Sequence, residues 1–304
     1  MNYNIIKRNG YGSNFNILYI NDEKTLIKKK TINLYGIEKI KCEILFFNFI
    51  NYNKIEIKIP KIYYTSYNTI IMEYIKDNKS NIDYFDIILN KIMILHLFNN
   101  ITINKNYYKQ LLFEETIIKI KKRYNQIQTI INNYNNIIYV NNIKILNIYD
   151  IIDKLYTFFN TYINNLDIYL LHPIHGDLQY NNIIINNHDI YFIDPKGIFG
   201  SSYIYGIKEY DIAKMYFSLS GYYEFDNMDF NDIDINDNNL KIDFINIPDF
   251  NKHKNNNYYN NCNIKFIKYL FISIWLSNAH IFINTPFKLI YSYYISLYFS
   301  TLLL

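Results

Sequence analysis

An α+β fold is predicted for this 304-residue chain, with a small strand-rich part at residues 1–75 and a larger, mainly helical part at residues 76–304. Three observations carry that expectation. Residues 1–75 hold short runs of Ile, Tyr and Leu separated by turns containing Asn and Gly. Later segments repeat their apolar residues every three or four positions, the period of a helix with one buried face. One strand–turn–strand unit at residues 183–193 then interrupts the helical pattern. A chain of this length can bury a sizeable core in one large domain or two lobes.

Half of the residues are apolar and the mean hydropathy is −0.13, values of a globular rather than a disordered chain. Asn and Ile make up roughly a third of the sequence, far above their usual share. Tyr occurs 34 times, and alanine stands only at Ala213 and Ala279. This reads as codon bias from an AT-rich genome. Ile and Tyr then fill positions that Leu, Ala and Phe would normally take, so propensity leans falsely toward strand and Asn-rich helices resemble loops. The net charge of +4 leaves no nucleic-acid footprint. The basic runs at residues 28–30 and 119–123 read as solvated faces or phosphate contacts. Cys42 and Cys262 match no disulfide framework or zinc spacing, which fits a reducing, cytoplasmic compartment. The N-terminus lacks the apolar core of a signal peptide. The apolar C-terminal stretch is broken by Asn278, His280, Asn284, Pro286 and Lys288, so no run reaches the roughly 20 residues of a membrane span; a packed helical pair is expected there.

In chain order, Ile5-Ile6-Lys7-Arg8 enters a turn containing Gly10 and Gly12, and Ile17-Leu18-Tyr19-Ile20 leaves it. Two glycines between strands let backbone N–H groups approach a phosphate closely. A third strand follows at Thr25-Leu26-Ile27-Lys28-Lys29-Lys30. Ile37, Ile40, Ile44, Leu45 and Phe47 then have helical spacing, and a strand Ile70-Ile71-Met72-Glu73-Tyr74-Ile75 closes the small part. Helices are expected at residues 84–98, 107–124 and 148–166. The acidic, Asn-rich span 224–263 reads as an insertion, part hairpin and part mobile loop with a solvated surface.

The densest chemistry lies at His175-Gly176-Asp177-Leu178-Gln179-Tyr180-Asn181-Asn182, followed by Tyr191-Phe192-Ile193-Asp194-Pro195. An acid, an amide and a second acid alternate with short apolar runs. Residues 183–185 and 190–193 form a hairpin around Asn186-Asn187-His188-Asp189, which puts Asn182 just before one strand and Asp194 just after the other. That is the layout of a phosphoryl-transfer site. Asp177 would take the proton from an attacking hydroxyl, and Asn182 and Asp194 would present oxygens to Mg²⁺ on the phosphates of ATP.

These residues resemble the aminoglycoside phosphotransferase and choline kinase-like branch of the protein-kinase-like superfamily, whose catalytic loop reads H-G-D-x-x-x-x-N. Ile193-Asp194-Pro195-Lys196-Gly197 is most similar to the I-D-P-[RK]-G form found in phosphotransferases tied to bacterial capsule synthesis and large viruses. The resemblance implies a protein-kinase-like two-lobe fold, with a nucleotide-binding lobe at 1–75 including the hinge and a catalytic, acceptor-binding lobe at 76–304. It implies a phosphate-covering loop at Gly10 and Gly12, and a phosphate-pairing lysine at Lys28, with Lys29 as the rival. Glu43 would orient that lysine, with Glu38 the weaker choice. Met72 would sit behind the adenine, and the backbone of Glu73 and Ile75 would meet its edge. His175 would hold the catalytic loop, His96 would be structural, and Asp211, in Tyr210-Asp211-Ile212-Ala213-Lys214, would cap a helix and brace the loop.

The implied activity is ATP- and Mg²⁺-dependent transfer of the γ-phosphate to a hydroxyl of a small molecule such as a sugar or amino alcohol. A peptide acceptor is disfavoured. Gln179 stands where protein kinases carry a lysine, and D-F-G and A-P-E are absent. The alternative is a catalytically silent nucleotide-binding scaffold of the same fold.

Overall fold

The computed structural model describes residues 3–6, 16–31, 33–78 and 84–304. Strands β1 (Tyr3–Ile6), β2 (Asn16–Asn21), β3 (Leu26–Thr31), β4 (Ile62–Ser66) and β5 (Thr69–Glu73) form one sheet in the order β1-β2-β3-β5-β4, antiparallel throughout. The 19-residue helix α1 (Leu34–Tyr52) links β3 to β4. The Asn33 side chain starts it by accepting from the Gly36 N–H. Ile40 and Ile44 of α1 pack on Ile27, Ile62, Ile70 and Met72 of the sheet, so the helix covers one sheet face. Gly10 and Gly12 lie outside the described residues.

The rest of the chain is mainly helical: α2 (Phe85–His96), α3 (Lys105–Phe113), α4 (Lys119–Asn132), α5 (Ile148–Asn164), α6 (Lys208–Phe217), α7 (Tyr223–Asp226), α8 (Asn257–Asn260), α9 (Ile264–Asn278) and α10 (Pro286–Leu303). The helix expected at 107–124 is longer than its pattern suggests. It begins at Lys105 and continues through a π-helical turn, Glu114–Ile118, into α4. Some of the asparagines are used at helix starts. Asn33, Asn104, Asn147, Asn256 and Asn263 each accept a backbone N–H from the first turn of their helix.

Short strands stitch these helices together. They are β6 (Ile101–Thr102), β7 (Tyr139–Val140), β8 (Ile143–Lys144), β9 (Leu170–Pro173), β10 (Ile183–Asn186), β11 (Asp189–Phe192), β12 (Ile198–Phe199), β13 (Ser202–Tyr203), β14 (Tyr205–Gly206), β15 (Ile235–Asn236) and β16 (Asn239–Leu240). β9 lies between β14 and β6. The expected hairpin is β10–β11, turning at Asn187 and His188, both at positive φ, the pairing of a type I′ turn. The 224–263 span contains the hairpin β15–β16, which adds in parallel to β7. It is not a loose loop elsewhere: Phe225, Leu240, Ile242, Phe250, Tyr259 and Cys262 are buried in the main core.

α9 and α10 are the expected C-terminal pair. Trp275, Phe266, Phe271 and Phe299 are fully buried in them, and both helices are apolar nearly all round because they are enclosed on most sides. No described helix is long and apolar enough to cross a membrane.

Candidate active site

β9 delivers the chain to His175-Gly176-Asp177, and a buried aspartate fixes that turn. Asp211, fully buried, accepts the His175 N–H at 2.8 Å and the Gly176 N–H at 2.7 Å. His96 Nε2 completes the set on Asp211 at 2.9 Å. Asp211 therefore braces the loop, but it does not cap its helix. α6 begins at Lys208, its N-cap position is Ile207, and Asp211 lies inside the first turns. The His175 ring is also built in. Nε2 donates to the Ile193 carbonyl at 3.0 Å, and Nδ1 accepts the Asp177 N–H at 3.3 Å. Burial lowers its pKa against the opposing pull of Asp211 and Asp177, so the ring is a neutral strut between loop and hairpin.

The β10–β11 hairpin brings the amide and the second acid together. The Ile193 N–H donates to the Asn182 carbonyl at 3.0 Å. Asn182 Nδ2 donates to the Asp177 carbonyl at 2.9 Å and to its carboxylate at 3.1 Å, which leaves the Asn182 side-chain oxygen for another partner. Asp194 sits at φ 52, a left-handed conformation that Asp tolerates better than most residues. Just beyond it, Gly197 at φ +62 lets the loop pass under α1. A Cβ there would lie 2.5 Å from the Cys42 carbonyl oxygen.

The rival strand lysine makes the contacts expected of Lys28. Lys29 Nζ lies 2.6 Å from Glu43 and 2.9 Å from Asp194. Burial alone would lower its pKa, but Asp194 and Glu43 outweigh it and raise it. The correction follows from strand geometry. Successive side chains alternate faces, so Lys29 and Thr31 point in while Lys28 is half-exposed on the other face. Glu43 is buried, as expected. Glu38 lies away, bonded by the Tyr203 hydroxyl and beside Lys41. At the end of β5, Met72 and Ile75 are buried and Glu73 is half-buried. The Glu73 N–H donates to the Lys61 carbonyl at 2.8 Å and the Tyr74 N–H to the Thr25 carbonyl at 2.9 Å.

Asp177 is the most open of the acids, with 30 % of its side chain exposed. Lys214 of α6 holds one carboxylate oxygen at 2.9 Å; Gln179 and Asn182 approach the other at 3.4 and 3.1 Å. Burial would raise its pKa, but Lys214, then Lys39 and His175, bring it below the usual aspartate value. Asp177 is thus ionised at neutral pH.

Sequence reasoning did not find one further buried carboxylate. Glu115, turned inward by the π-helical turn, takes Lys119 at 2.6 Å, Lys196 at 2.5 Å and the Tyr210 hydroxyl at 2.6 Å. The 119–123 run is therefore not simply a solvated face, since Lys119 pairs inward and Arg123 donates to the Ser277 carbonyl at 2.7 Å. Lys196 and Lys214 both stand within motifs legible in the sequence. Glu115 gave only the weak signal of an acid four residues before a lysine.

Asn182 and Asp194 offer two hard oxygen donors at adjacent ends of one hairpin. That set fits Mg²⁺, which commonly takes one or two protein oxygens and completes its shell with phosphate and water. The described residues contain no cluster of three or more His, Cys, Asp or Glu that could hold a metal by themselves.

No protein-family model matches the sequence, and no curated protein matches it. Solved structures do. The ADP-bound aminoglycoside phosphotransferase APH(2'')-Ib is 13% identical with a TM-score of 0.55, over 100% of this chain and 95% of that one. An ethanolamine kinase of Plasmodium vivax is 17% identical with a TM-score of 0.55, over 98% of this chain and 81% of that one. Choline kinase of Cryptosporidium parvum Iowa II is 12% identical with a TM-score of 0.52, over 98% and 87% respectively. Identities this low speak to the fold alone, and across nearly the whole chain the α+β fold is similar to that of these three kinase structures.

Proposed function

We propose that the protein is an ATP- and Mg²⁺-dependent phosphotransferase that moves the γ-phosphate to a hydroxyl of a small molecule. The observation that carries this reading is the convergence of two charge sets on one hairpin. Lys29, Glu43 and Asp194 stand on one side, and Asp177 with Asn182 on the other. Similarity in fold to an aminoglycoside phosphotransferase, an ethanolamine kinase and a choline kinase supports a small-molecule acceptor. The ADP-bound state of one of them supports an adenine nucleotide. The I-D-P-K-G form of the second acid supports kinship with the capsule-synthesis and large-virus branch.

In this reading residues 1–75 form the nucleotide lobe and 76–304 the catalytic lobe. Met72, Glu73 and Ile75 frame the adenine, Gly10 and Gly12 cover the phosphates, and Lys29, oriented by Glu43, pairs with them. Asn182 and Asp194 would hold Mg²⁺, which offsets charge on the γ-phosphate and on the leaving oxygen when bound. Asp177 orients the acceptor hydroxyl and takes its proton as the acceptor oxygen bonds to the γ-phosphorus and the bond to the β-phosphate oxygen breaks, releasing ADP. His175 and Asp211 keep Asp177 in place. Two buried free cysteines support a reducing compartment such as the cytoplasm.

The test is Asp177→Asn. The change is nearly isosteric, so folding and nucleotide binding should persist while transfer falls by about 10²–10⁴-fold, the usual scale of a general base. Asp194→Asn should in addition weaken Mg²⁺-dependent nucleotide binding. Equal turnover by wild type and Asp177→Asn on an identified acceptor would reject Asp177 as the base. Nucleotide binding without transfer to any hydroxyl in a broad screen would favour the silent scaffold.

A further inference from the structure

Among the described residues one cation is in ion-pair contact with Asp177, and it comes from α6. Lys214 Nζ lies 2.9 Å from one carboxylate oxygen of Asp177. Gln179 and Asn182, both neutral, approach the other oxygen at 3.4 and 3.1 Å. Asp211 and Lys214 stand three residues apart on α6, so they share one side of the helix. That side grips the 175–177 loop twice. Asp211 takes the backbone N–H groups of His175 and Gly176, and Lys214 takes the side chain of Asp177.

The Lys214 side chain is built into the site. Only 15% of it is exposed, against 30% for Asp177, and its ammonium lies 5.3 Å from the centre of the buried Phe217 ring, one turn further along α6. A ring face attracts a cation through its quadrupole but offers no lone pair to its N–H groups. An ammonium carries three donors and no acceptor. Asp177 is the one acceptor that Lys214 has among the described residues. Donors are therefore left for a second anion at the place where Asp177 opens to solvent.

We propose that Lys214 is a second catalytic residue, whose ammonium contacts the phosphoryl group while it is in transfer. The proposal rests on the phosphotransferase reading and adds a residue to it. Before reaction Asp177 is a carboxylate paired with Lys214. The acceptor oxygen bonds to the γ-phosphorus, its proton passes to Asp177, and the bond to the β-phosphate oxygen breaks to release ADP. Asp177 is then neutral and no longer matches the charge on Lys214. The negative charge given up by the acceptor hydroxyl now lies on the phosphoryl oxygens. Lys214 donates to them and keeps its own protons throughout. A contact that strengthens as charge moves favours the transition state over the bound substrate.

The experiment is calorimetric titration of the full chain with Mg²⁺-ADP, with and without fluoroaluminate, a flat anion that stands in for the phosphoryl group in transfer. Fluoroaluminate should tighten wild-type binding of Mg²⁺-ADP by about ten-fold or more, the scale of one charge-assisted contact. Lys214→Gln and Lys214→Met should lose most of that gain and keep their affinity for Mg²⁺-ADP alone. Lys214→Arg, which keeps the charge, should retain it. The Asp177→Asn background separates contact from anchoring. If Lys214 only steadies Asp177, adding Lys214→Gln to Asp177→Asn changes nothing more, whereas direct contact predicts a further loss of about ten-fold in the double variant. No further loss there overturns the inference. So does a gain that both neutral variants keep, or fluoroaluminate that adds nothing to wild-type binding. Weakened binding of Mg²⁺-ADP alone in both neutral variants overturns it too, because the lysine would then serve the nucleotide before transfer. Failure of wild type to bind Mg²⁺-ADP at all overturns the phosphotransferase reading and this inference with it; each of the other adverse results overturns this inference alone.

Discussion

At the scale of single residues, the site depends on which of two adjacent lysines turns inward. Lys29 is buried and holds Glu43 at 2.6 Å, so Lys29→Met strands a buried carboxylate. Breaking a buried pair by removing one partner costs about 3–5 kcal/mol, and a loss at the lower end of that range is expected because Asp194 is partly exposed. Lys28→Met, on the half-exposed face, should cost clearly less than Lys29→Met. Urea unfolding of both variants measures the contrast. Equal effects would mean that the face assignment of β3 is wrong.

At the scale of elements, the β10–β11 hairpin is held from several directions. The Phe192 N–H donates to the Lys58 carbonyl at 2.9 Å, and the Asn78 N–H to the Ile185 carbonyl at 2.7 Å. The segments flanking the small sheet therefore clasp both hairpin strands. The loop after β11 lies against α1, and Gly197→Ala tests that contact. Its φ of +62 and the 2.5 Å approach of a Cβ to the Cys42 carbonyl predict a destabilisation of about 2 kcal/mol, read as a lower urea midpoint at unchanged m-value. The neighbouring strand β9 carries a pH-sensitive group. Burial lowers the pKa of His172 to about 4 from its ordinary 6.5, and its Nδ1 donates to the His96 carbonyl at 2.8 Å. The unfolded chain therefore binds the proton first. His172 leaves stability intact above pH 6.5 and withdraws about 3 kcal/mol as pH falls to 4. His172→Asn keeps a donor for His96 and does not titrate. Its melting temperature should fall less steeply than that of wild type between pH 6.5 and 4; parallel profiles would show that His172 is not the titrating group.

At the scale of the whole molecule, a small sheet backed by α1 faces a helical body whose core is centred on α9, α10 and the aromatic residues packed on them. Lys29 and Glu43 belong to the first, Asp177 and Asn182 to the second, and Asp194 reaches between them. A ligand that bridges both parts should bind only the native state. Mg²⁺ with ATP at about 100 times its Kd should then add about 2.7 kcal/mol and raise the melting temperature by about 5 °C. Thermal unfolding with and without Mg²⁺ checks this, and no shift with either ATP or GTP at millimolar concentration would remove nucleotide binding from the reading.

The order of elements and the β10–β11 hairpin were legible in the sequence because they depend on local chemistry. Period-2 and period-3.6 apolar patterns mark strands and helices, and Asp177, Asn182 and Asp194 fall at spacings that a short hairpin converts into proximity. Fold class and the acid–amide–acid set follow from that alone. Lys29 over Lys28 did not follow, since a run of three lysines offers no pattern to tell inward from outward; the packing of α1 and the register of β3 decide it. Helix starts were obscured because asparagine serves here both as a common filler and as the cap. Glu115 and its lysines lie far apart in sequence, on the π-helical turn, α4 and the loop after β11, and their shared burial exists only once the chain has folded. Short-range spacing encodes the acid–amide–acid set, whereas the electrostatic environment around it is a sum over distant segments, and tertiary packing alone sets it.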